Sequence, residues 1–562
     1  MNTSSPNGPR PAYEAIADVL VRNGVDRVFG VMGEDTAPLM VAATARGVEY
    51  QSVRHENQAV AMADGYSRVS GRLGVATVTG GPGFTNGLSA IVTAARARSR
   101  VLLISGAGRP QEDEDEPATL RAIGQRGWPK RFPHTRVLEQ LGLRWFQPAD
   151  AAGTVAATLD ALAYTRHGLA TLLLGRQVIL GPAPSLDESA SVVPDPPPLA
   201  PASEAVVDIA DLLGESWAVK RPLILAGRGA LASEALAPLR RLAELTGAVL
   251  ATTLPAAGLF HGDDFDIGIC GTFSTPVASE LIGQADCVLS FGASLNPYTT
   301  YDNSLFPKAR LIQVDVRADE LGRVMDPVIA VHADARMTAE ALVAELERRR
   351  HSATGLRTAE NRRAIAAYST AAGVVDRSTE TSIDPNVLVI TLDRILPENR
   401  IIVTGAGQHN RFTTRHVRSH GGRNYVWGVE FGTVGLGLGL AIGAQTARPD
   451  TPVVAFLGDG GLMMALGELE TVGRFGLPLL IVVNNDDGFG AEVNVLANLG
   501  LDPTLAKTPG PSFADIAGAM GIPAAVVRTV ADLDVARRWF DAARPGPLLL
   551  DCRVNQAVRA GD

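Results

Sequence analysis

The chain has only three cysteines in 562 residues, Cys270, Cys287 and Cys552, and no CxxC pair. That excludes a disulfide-stapled scaffold and a compact Cys/His zinc site, and a reduced, cytosolic setting is expected. No apolar run approaches the roughly 18 to 20 residues of a membrane span. The nearest, Leu477 to Val483, is strand-sized and ends in Asn484-Asn485-Asp486-Asp487. An excess of positive charge is also missing: 51 Lys and Arg stand against 60 Asp and Glu, a net charge of −9. This argues against a nucleic-acid or anionic-membrane surface, so neither is expected as a partner. The first dozen residues, MNTSSPNGPRPA, carry no basic segment leading into an apolar stretch, and no secretory signal is read there.

What is present is an ordinary globular composition, 46% hydrophobic and 20% charged, in a chain long enough for about three or four domains. An amphipathic helix near Tyr13 to Asn23 precedes strand-like runs at Asp26 to Gly30, Val75 to Thr79 and Val101 to Ser105, which is βαβ grammar. Between Gly181 and Ser203 the text becomes PAPSLDESASVVPDPPPLAPAS, a proline-rich linker. A second α/β unit follows, with strands expected at Arg221 to Ala226, Cys287 to Phe291 and Ala309 to Val316. A third has strands expected at Ile401 to Thr404, Val453 to Leu457 and Leu479 to Val483. The expected fold class is α/β, with three doubly wound parallel-sheet domains over residues 1–185, 203–350 and 384–562. No short-period repeat supports a solenoid.

Chemistry concentrates where polar clusters follow these strands. Val453 to Leu457 leads into Gly458-Asp459-Gly460-Gly461, and the adjacent strand ends in Asn484-Asn485-Asp486-Asp487-Gly488. Open α/β sheets bind ligands at the carboxyl ends of their strands. Asp459 and Asp486 offer hard oxygen atoms to a cation, and the glycines admit phosphate oxygens to backbone amides. The plain alternative is a tight turn followed by an unrelated polar loop. Upstream lies Thr404-Gly405-Ala406-Gly407-Gln408-His409-Asn410, and between them Phe431-Gly432-Thr433-Val434-Gly435. In the first unit, Val53-Arg54-His55-Glu56-Asn57 precedes a helix-like segment, and Gly80-Gly81-Pro82-Gly83-Phe84-Thr85-Asn86 follows a strand. Taken singly, Glu56 reads as a helix-start carboxylate, His409 as a loop histidine and Val434 as a core residue.

Together these segments resemble the thiamine diphosphate-dependent enzymes of the acetolactate synthase and benzaldehyde lyase group, over nearly the whole chain and in family order. The resemblance implies a pyrimidine-binding domain, a central Rossmann-like domain and a diphosphate-binding domain. It implies Mg²⁺ held by Asp459, by Asp486 or Asn485, and by the Gly488 carbonyl. Asp486 is favoured because Gly490 stands four residues after it. Gly458, Gly460, Gly461, Gln408 and His409 correspond to diphosphate-side positions. Gly432 corresponds to the carbonyl that takes the cofactor amino group, and Val434 to the aliphatic wedge between the rings. Glu56 corresponds to the carboxyl that hydrogen-bonds the pyrimidine and favours its reactive tautomer, with Pro82 and Asn86 also against the cofactor; a buried carboxyl suits that proton exchange.

In such enzymes one subunit supplies the glutamate and another the diphosphate site, so a homodimer or homotetramer is expected. The implied function is a carboligase or lyase acting on 2-oxo acids or acyloin-type ketones, small carbonyl substrates, through an ylide and an enamine intermediate. The alternatives are a simple 2-oxo acid decarboxylase and a non-catalytic member that binds a nucleotide or a partner.

At the substrate end the match departs. Glu34 stands where relatives carry a small residue; it either meets substrate or caps the following helix with Asp35. Arg121, with Gln125 as a close alternative, takes the place of a glutamine that approaches the thiazolium; it either clamps a carboxylate or is solvated. Val495 and Ser294 replace a tryptophan and an arginine that mark biosynthetic acetolactate synthases. FAD in the central domain is not favoured, because Gly227-Arg228-Gly229 reads as a packing turn.

Overall fold

The computed structural model describes residues 10–108, 132–183, 191–214, 219–542 and 546–559. Three six-stranded, wholly parallel sheets organise them. The first runs, edge to edge, Glu49–Ser52, Arg27–Gly30, Gly74–Val78, Val101–Ala107, Ala170–Gly175 and Arg144–Phe146. The third runs Tyr425–Trp427, Ile401–Thr404, Val453–Gly458, Leu479–Asn485, Leu548–Arg553 and Ala524–Val527. Numbered within each sheet, both have the order 2-1-3-4-6-5, although the two sequences share no evident similarity. The central sheet runs Ile329–His332, Arg310–Asp315, Cys287–Phe291, Pro222–Ala226, Val249–Thr252 and Asp266–Ile269, the order of a dinucleotide-type doubly wound sheet.

Alternate side chains of each strand feed different cores, which is why these strands read as continuous apolar runs. In Val453–Gly458, Val453, Ala455 and Leu457 enter one cluster while Val454 and Phe456 enter another. The first of these clusters also contains Phe29, Ala76, Val78 and Leu103, so the first and third sheets share a single core. Helices Glu56–Ser70 and Gly437–Ala447 lie between them in close contact. Their backbones approach because glycine occupies the crossing: a Cβ on Gly439 would lie 2.9 Å from Ala61 Cβ, and one on Gly443 would overlap the Met62 carbonyl. Gln58 fastens the crossing, its Nε2 donating to the Gly435 carbonyl at 2.8 Å and its Oε1 accepting from Gly439 N at 3.1 Å.

In the central sheet the strand order reverses between Pro222–Ala226 and Cys287–Phe291. There Gly227 N donates to Phe291 O at 2.9 Å and Gly229 N to Gly292 O at 3.0 Å. The two turns press on each other, and Arg228 reaches out of them to donate to the Ala97 carbonyl. The Gly227-Arg228-Gly229 segment therefore packs one domain on another. Among the described residues no helix is long and apolar enough to cross a membrane. All three cysteines are buried and unpaired; burial pushes the Cys270 and Cys287 thiols up to about 12.

Candidate active site

The chemistry-bearing loops leave the carboxyl ends of strands at the switch points of the first and third sheets, as the geometry of open α/β sheets requires. In the third sheet they surround a cavity of about 1350 Å³. Its lining includes Gln408, His409, Gly432, Val434, Gly458, Asp459, Gly460, Gly461, Asp486 and Gly488. Every candidate on the diphosphate and metal side of the sequence reading except Asn485 is thus brought to one place.

Asp459 opens helix Asp459–Met464, and its Oδ2 accepts from Gly488 N at 2.9 Å, tying the two strand-end loops together. Asp486 stands beside it, with its Oδ2 3.5 Å from Gln408 Nε2. Gln408 Oε1 in turn accepts from Asn494 Nδ2. Burial, followed for Asp486 by the charge of Asp459, raises both carboxyls, to about 6 for Asp459 and about 8 for Asp486. Two adjacent buried carboxylates repel unless a cation lies between them. Asn485, the competing candidate, points the other way: its Nδ2 donates to Asp551 Oδ1 at 2.9 Å.

Glycine at 490 makes room for this pair. A Cβ there would collide with Asp486 Oδ2 and come within 3.0 Å of Gln408 Nε2. Among the described residues no three His, Cys, Asp or Glu side chains converge. A full ligand set for a hard cation therefore needs a carbonyl and ligand oxygens besides the two aspartates, which suits a metal bound together with a diphosphate.

His409 begins helix His409–His416 and is 6% exposed. Its ring lies against Gly458, where a Cβ would be 3.0 Å from Nδ1. Burial holds the imidazole near pKa 4, so it is neutral at pH 7. Gly432 has φ +83°, a backbone state that favours glycine, in the loop that carries half-buried Val434 to the cavity wall. A Cβ on Gly461 would sit 3.6 Å from Val434 Cγ1, so the aliphatic residue and the glycine-rich turn face each other.

The first sheet assembles a second cluster. Glu56 opens helix Glu56–Ser70, and its Oε2 accepts from Asn86 Nδ2 at 3.1 Å. Pro82 begins the short helix Pro82–Asn86, and a Cβ on the intervening Gly83 would stand 3.3 Å from Glu56 Oε1. Glu56, Pro82 and Asn86 are brought together, but none of them lines the cavity that holds Asp459. Glu34 does not line it either; its half-exposed carboxylate lies 3.9 Å from Arg176 Nη1. The N-cap of the following helix, Ala37–Thr44, is Thr36. Arg121 and Gln125 lie outside the described residues.

Four residues that sequence reasoning had not assigned to the site shape these loops. Asp35 is 5% exposed, and its Oδ2 accepts from Thr79 Oγ1 at 2.9 Å and Gly80 N at 2.8 Å, tying together two strand ends at the switch point. His134 Nε2 accepts from Gly81 N at 3.0 Å. Glu468 reaches from the third unit to accept from Arg54 N and His55 N, immediately before Glu56. Asn484 lines the cavity at the end of its strand. Only Asn484 had a local signal, its place in the polar run; the others are recognisable only by partners distant in sequence.

Comparison with known proteins gives the same grouping. Models of the thiamine pyrophosphate enzyme N-terminal binding domain, central domain and C-terminal binding domain match residues 10–129, 208–342 and 405–552. A sulfoacetaldehyde acetyltransferase of Rhodobacter capsulatus is 29% identical, covering 97% of this chain and 94% of that protein. A probable chloroplastic acetolactate synthase 2 of Oryza sativa subsp. japonica is 28% identical over 99% of this chain and 84% of its own length. An acetolactate synthase large subunit of Parasynechococcus marenigrum is 29% identical over 84% and 75%. With three domain models matched in order and full-length relatives of this kind, the chain belongs to the thiamine pyrophosphate enzyme family, as an enzyme of carbon–carbon transfer or lyase chemistry.

Proposed function

We propose that the protein is a carboligase or lyase that takes a 2-oxo acid or an acyloin-type ketone as donor and passes the retained acyl fragment to a second carbonyl or other acceptor. The observation that carries this reading is the single cavity in which Asp459, Asp486, Gln408, His409, Gly432 and Val434 converge at the carboxyl ends of the third sheet. Thiamine diphosphate, when bound, supplies a nucleophilic carbon that adds to a carbonyl and stabilises the charge left when the adjacent bond breaks. The rest is this chain's work. Asp459, Asp486 and the Gly488 carbonyl would hold Mg²⁺, and the Gly458–Gly461 turn, Gln408 and His409 would receive the diphosphate. Val434 would set the ring conformation, and the Gly432 carbonyl would accept from the amino group.

Glu56 holds a proton at the pyrimidine ring, oriented by Asn86 Nδ2 at 3.1 Å. It does so in the site of a second subunit, because its cluster does not line the cavity of its own chain. The functional unit is therefore a homodimer or a multiple of it. Val495 lines the same cavity, so the region where substrate selection is expected is more open than with a tryptophan there. The relatives are named sulfoacetaldehyde acetyltransferase and acetolactate synthase; this chain's own donor is proposed only as a small 2-oxo acid or acyloin.

The test is product analysis with a 2-oxo acid, with and without an acceptor aldehyde. Ligated product in the presence of acceptor is expected. Free aldehyde alone, with acceptor present, points to the simple decarboxylase instead. Glu56→Gln is expected to lower turnover at least a hundredfold, the scale of general acid–base catalysis, with an unchanged fold; undiminished turnover removes the mechanism.

A further inference from the structure

Asn484 is the penultimate residue of strand Leu479–Asn485 and lies opposite Gly458 in the sheet register. It is 4% exposed, it lines the cavity, and neither its Oδ1 nor its Nδ2 has a hydrogen-bond partner. A side-chain amide has two donors and an acceptor with two lone pairs, and a group of that kind is not left unmet in a protein interior without a reason. The neighbouring Asn485 shows the contrast: on the opposite face of the strand, it is satisfied by Asp551.

A second polar group adjoins it across the turn. The buried His409 ring lies against Gly458, the residue registered with Asn484, with Nδ1 on that side. Two uncharged groups with N–H donors thus flank the Gly458-Asp459 turn from the loops of two different strands. Beyond the turn stand the carboxylates of Asp459 and Asp486. Donors on one side and paired carboxylates on the other match a ligand that carries both anionic oxygens and a bound cation.

We infer that Asn484 is a cofactor-anchoring residue, its amide N–H donating to an oxygen of the metal-bound diphosphate beside His409. This rests on the thiamine diphosphate reading above and adds a residue to which the resemblance assigned no role. The amide is kept at the expense of the unliganded protein, because an apolar side chain of similar size suits that buried strand end better until the ligand arrives.

The experiment uses the full-length protein, freed of cofactor, and titrates thiamine diphosphate in the presence of Mg²⁺ by calorimetry for wild type, Asn484→Leu and Asn484→Ala. Thermal melting of each apoprotein is recorded alongside. One charge-assisted hydrogen bond corresponds to roughly a tenfold loss in affinity or more, expected in both variants, while the apoprotein Tm of Asn484→Leu equals or exceeds that of wild type. Folded variants that bind within threefold of wild type overturn the inference, and a buried water is then the partner of the amide. If wild type itself binds no thiamine diphosphate, the functional reading fails first. The wild-type titration therefore separates the two failures.

Discussion

Removing the Glu468 carboxylate should uncouple the third unit from the segment that carries Glu56. Glu468 is 1% exposed at the start of helix Glu468–Arg474. Its Oε1 accepts from Arg54 N at 2.9 Å and His55 N at 3.0 Å, and its Oε2 accepts from Thr471 Oγ1 at 2.7 Å. Hydrogen bonds to a charged group contribute about 1.5–3 kcal/mol each. The Arg54 and His55 side chains are solvent-exposed, so water recovers part of the two backbone bonds, and Glu468→Ala is expected to lose about 3 kcal/mol. Glu468→Gln keeps an oxygen for the two amides and turns its NH₂ toward the Thr471 hydroxyl, losing only the charge assistance, about 1 kcal/mol. Because Glu56 is the next residue in the chain, turnover should fall further in Glu468→Ala than in Glu468→Gln. Urea denaturation of the apoproteins at pH 7, with turnover measured in parallel, checks both. A loss under 1 kcal/mol in Glu468→Ala, or equal damage from the two substitutions, refutes the reasoning.

Gly490→Ala places a Cβ against Asp486 Oδ2 and 3.0 Å from Gln408 Nε2, so affinity for Mg²⁺ and thiamine diphosphate together should drop about thirtyfold in calorimetry with little change in apoprotein melting. Burial holds His134, His409, His416 and His420 near pKa 4, below the unfolded value of about 6.5. The unfolded chain therefore binds protons first, so their contribution is full above pH ~6.5 and is lost as pH falls from there toward 4, on the order of 3 kcal/mol for His134 alone. Urea midpoints across that range should decline with acid, and His134→Gln should flatten the decline by about one proton. If Glu56 acts in the partner's site, mixing inactive Glu56→Gln with inactive Asp459→Asn should restore about a quarter of wild-type activity, because random dimers regain half their sites in half the population. No recovery on mixing, after subunit exchange is verified, contradicts shared sites.

The interior strands were legible because burial on both faces writes them as apolar runs: Cys287–Phe291 and Ile401–Thr404 fall where the pattern places them. Short edge strands such as Arg144–Phe146, Tyr425–Trp427 and Ala524–Val527 were not, since three or four residues against a single neighbour leave too little pattern. The diphosphate-side candidates were legible because glycine and acidic residues cluster within a few positions of a strand end. Asp35 and His134 were not, because their roles consist of bonds to Gly80 and Gly81, formed only when separate strands come together. Glu468 is the extreme case, meeting an amide 414 residues away. Glu34 stands beside Arg176 and, like Glu56, does not line the cavity of its own chain.

The most direct measurement is calorimetric titration of the purified, cofactor-free protein with thiamine diphosphate, with Mg²⁺ and then with a chelator. Saturable binding of one cofactor per chain is expected, dependent on the metal and abolished by Asp459→Asn. An absence of any binding by the folded, metal-supplied protein contradicts it.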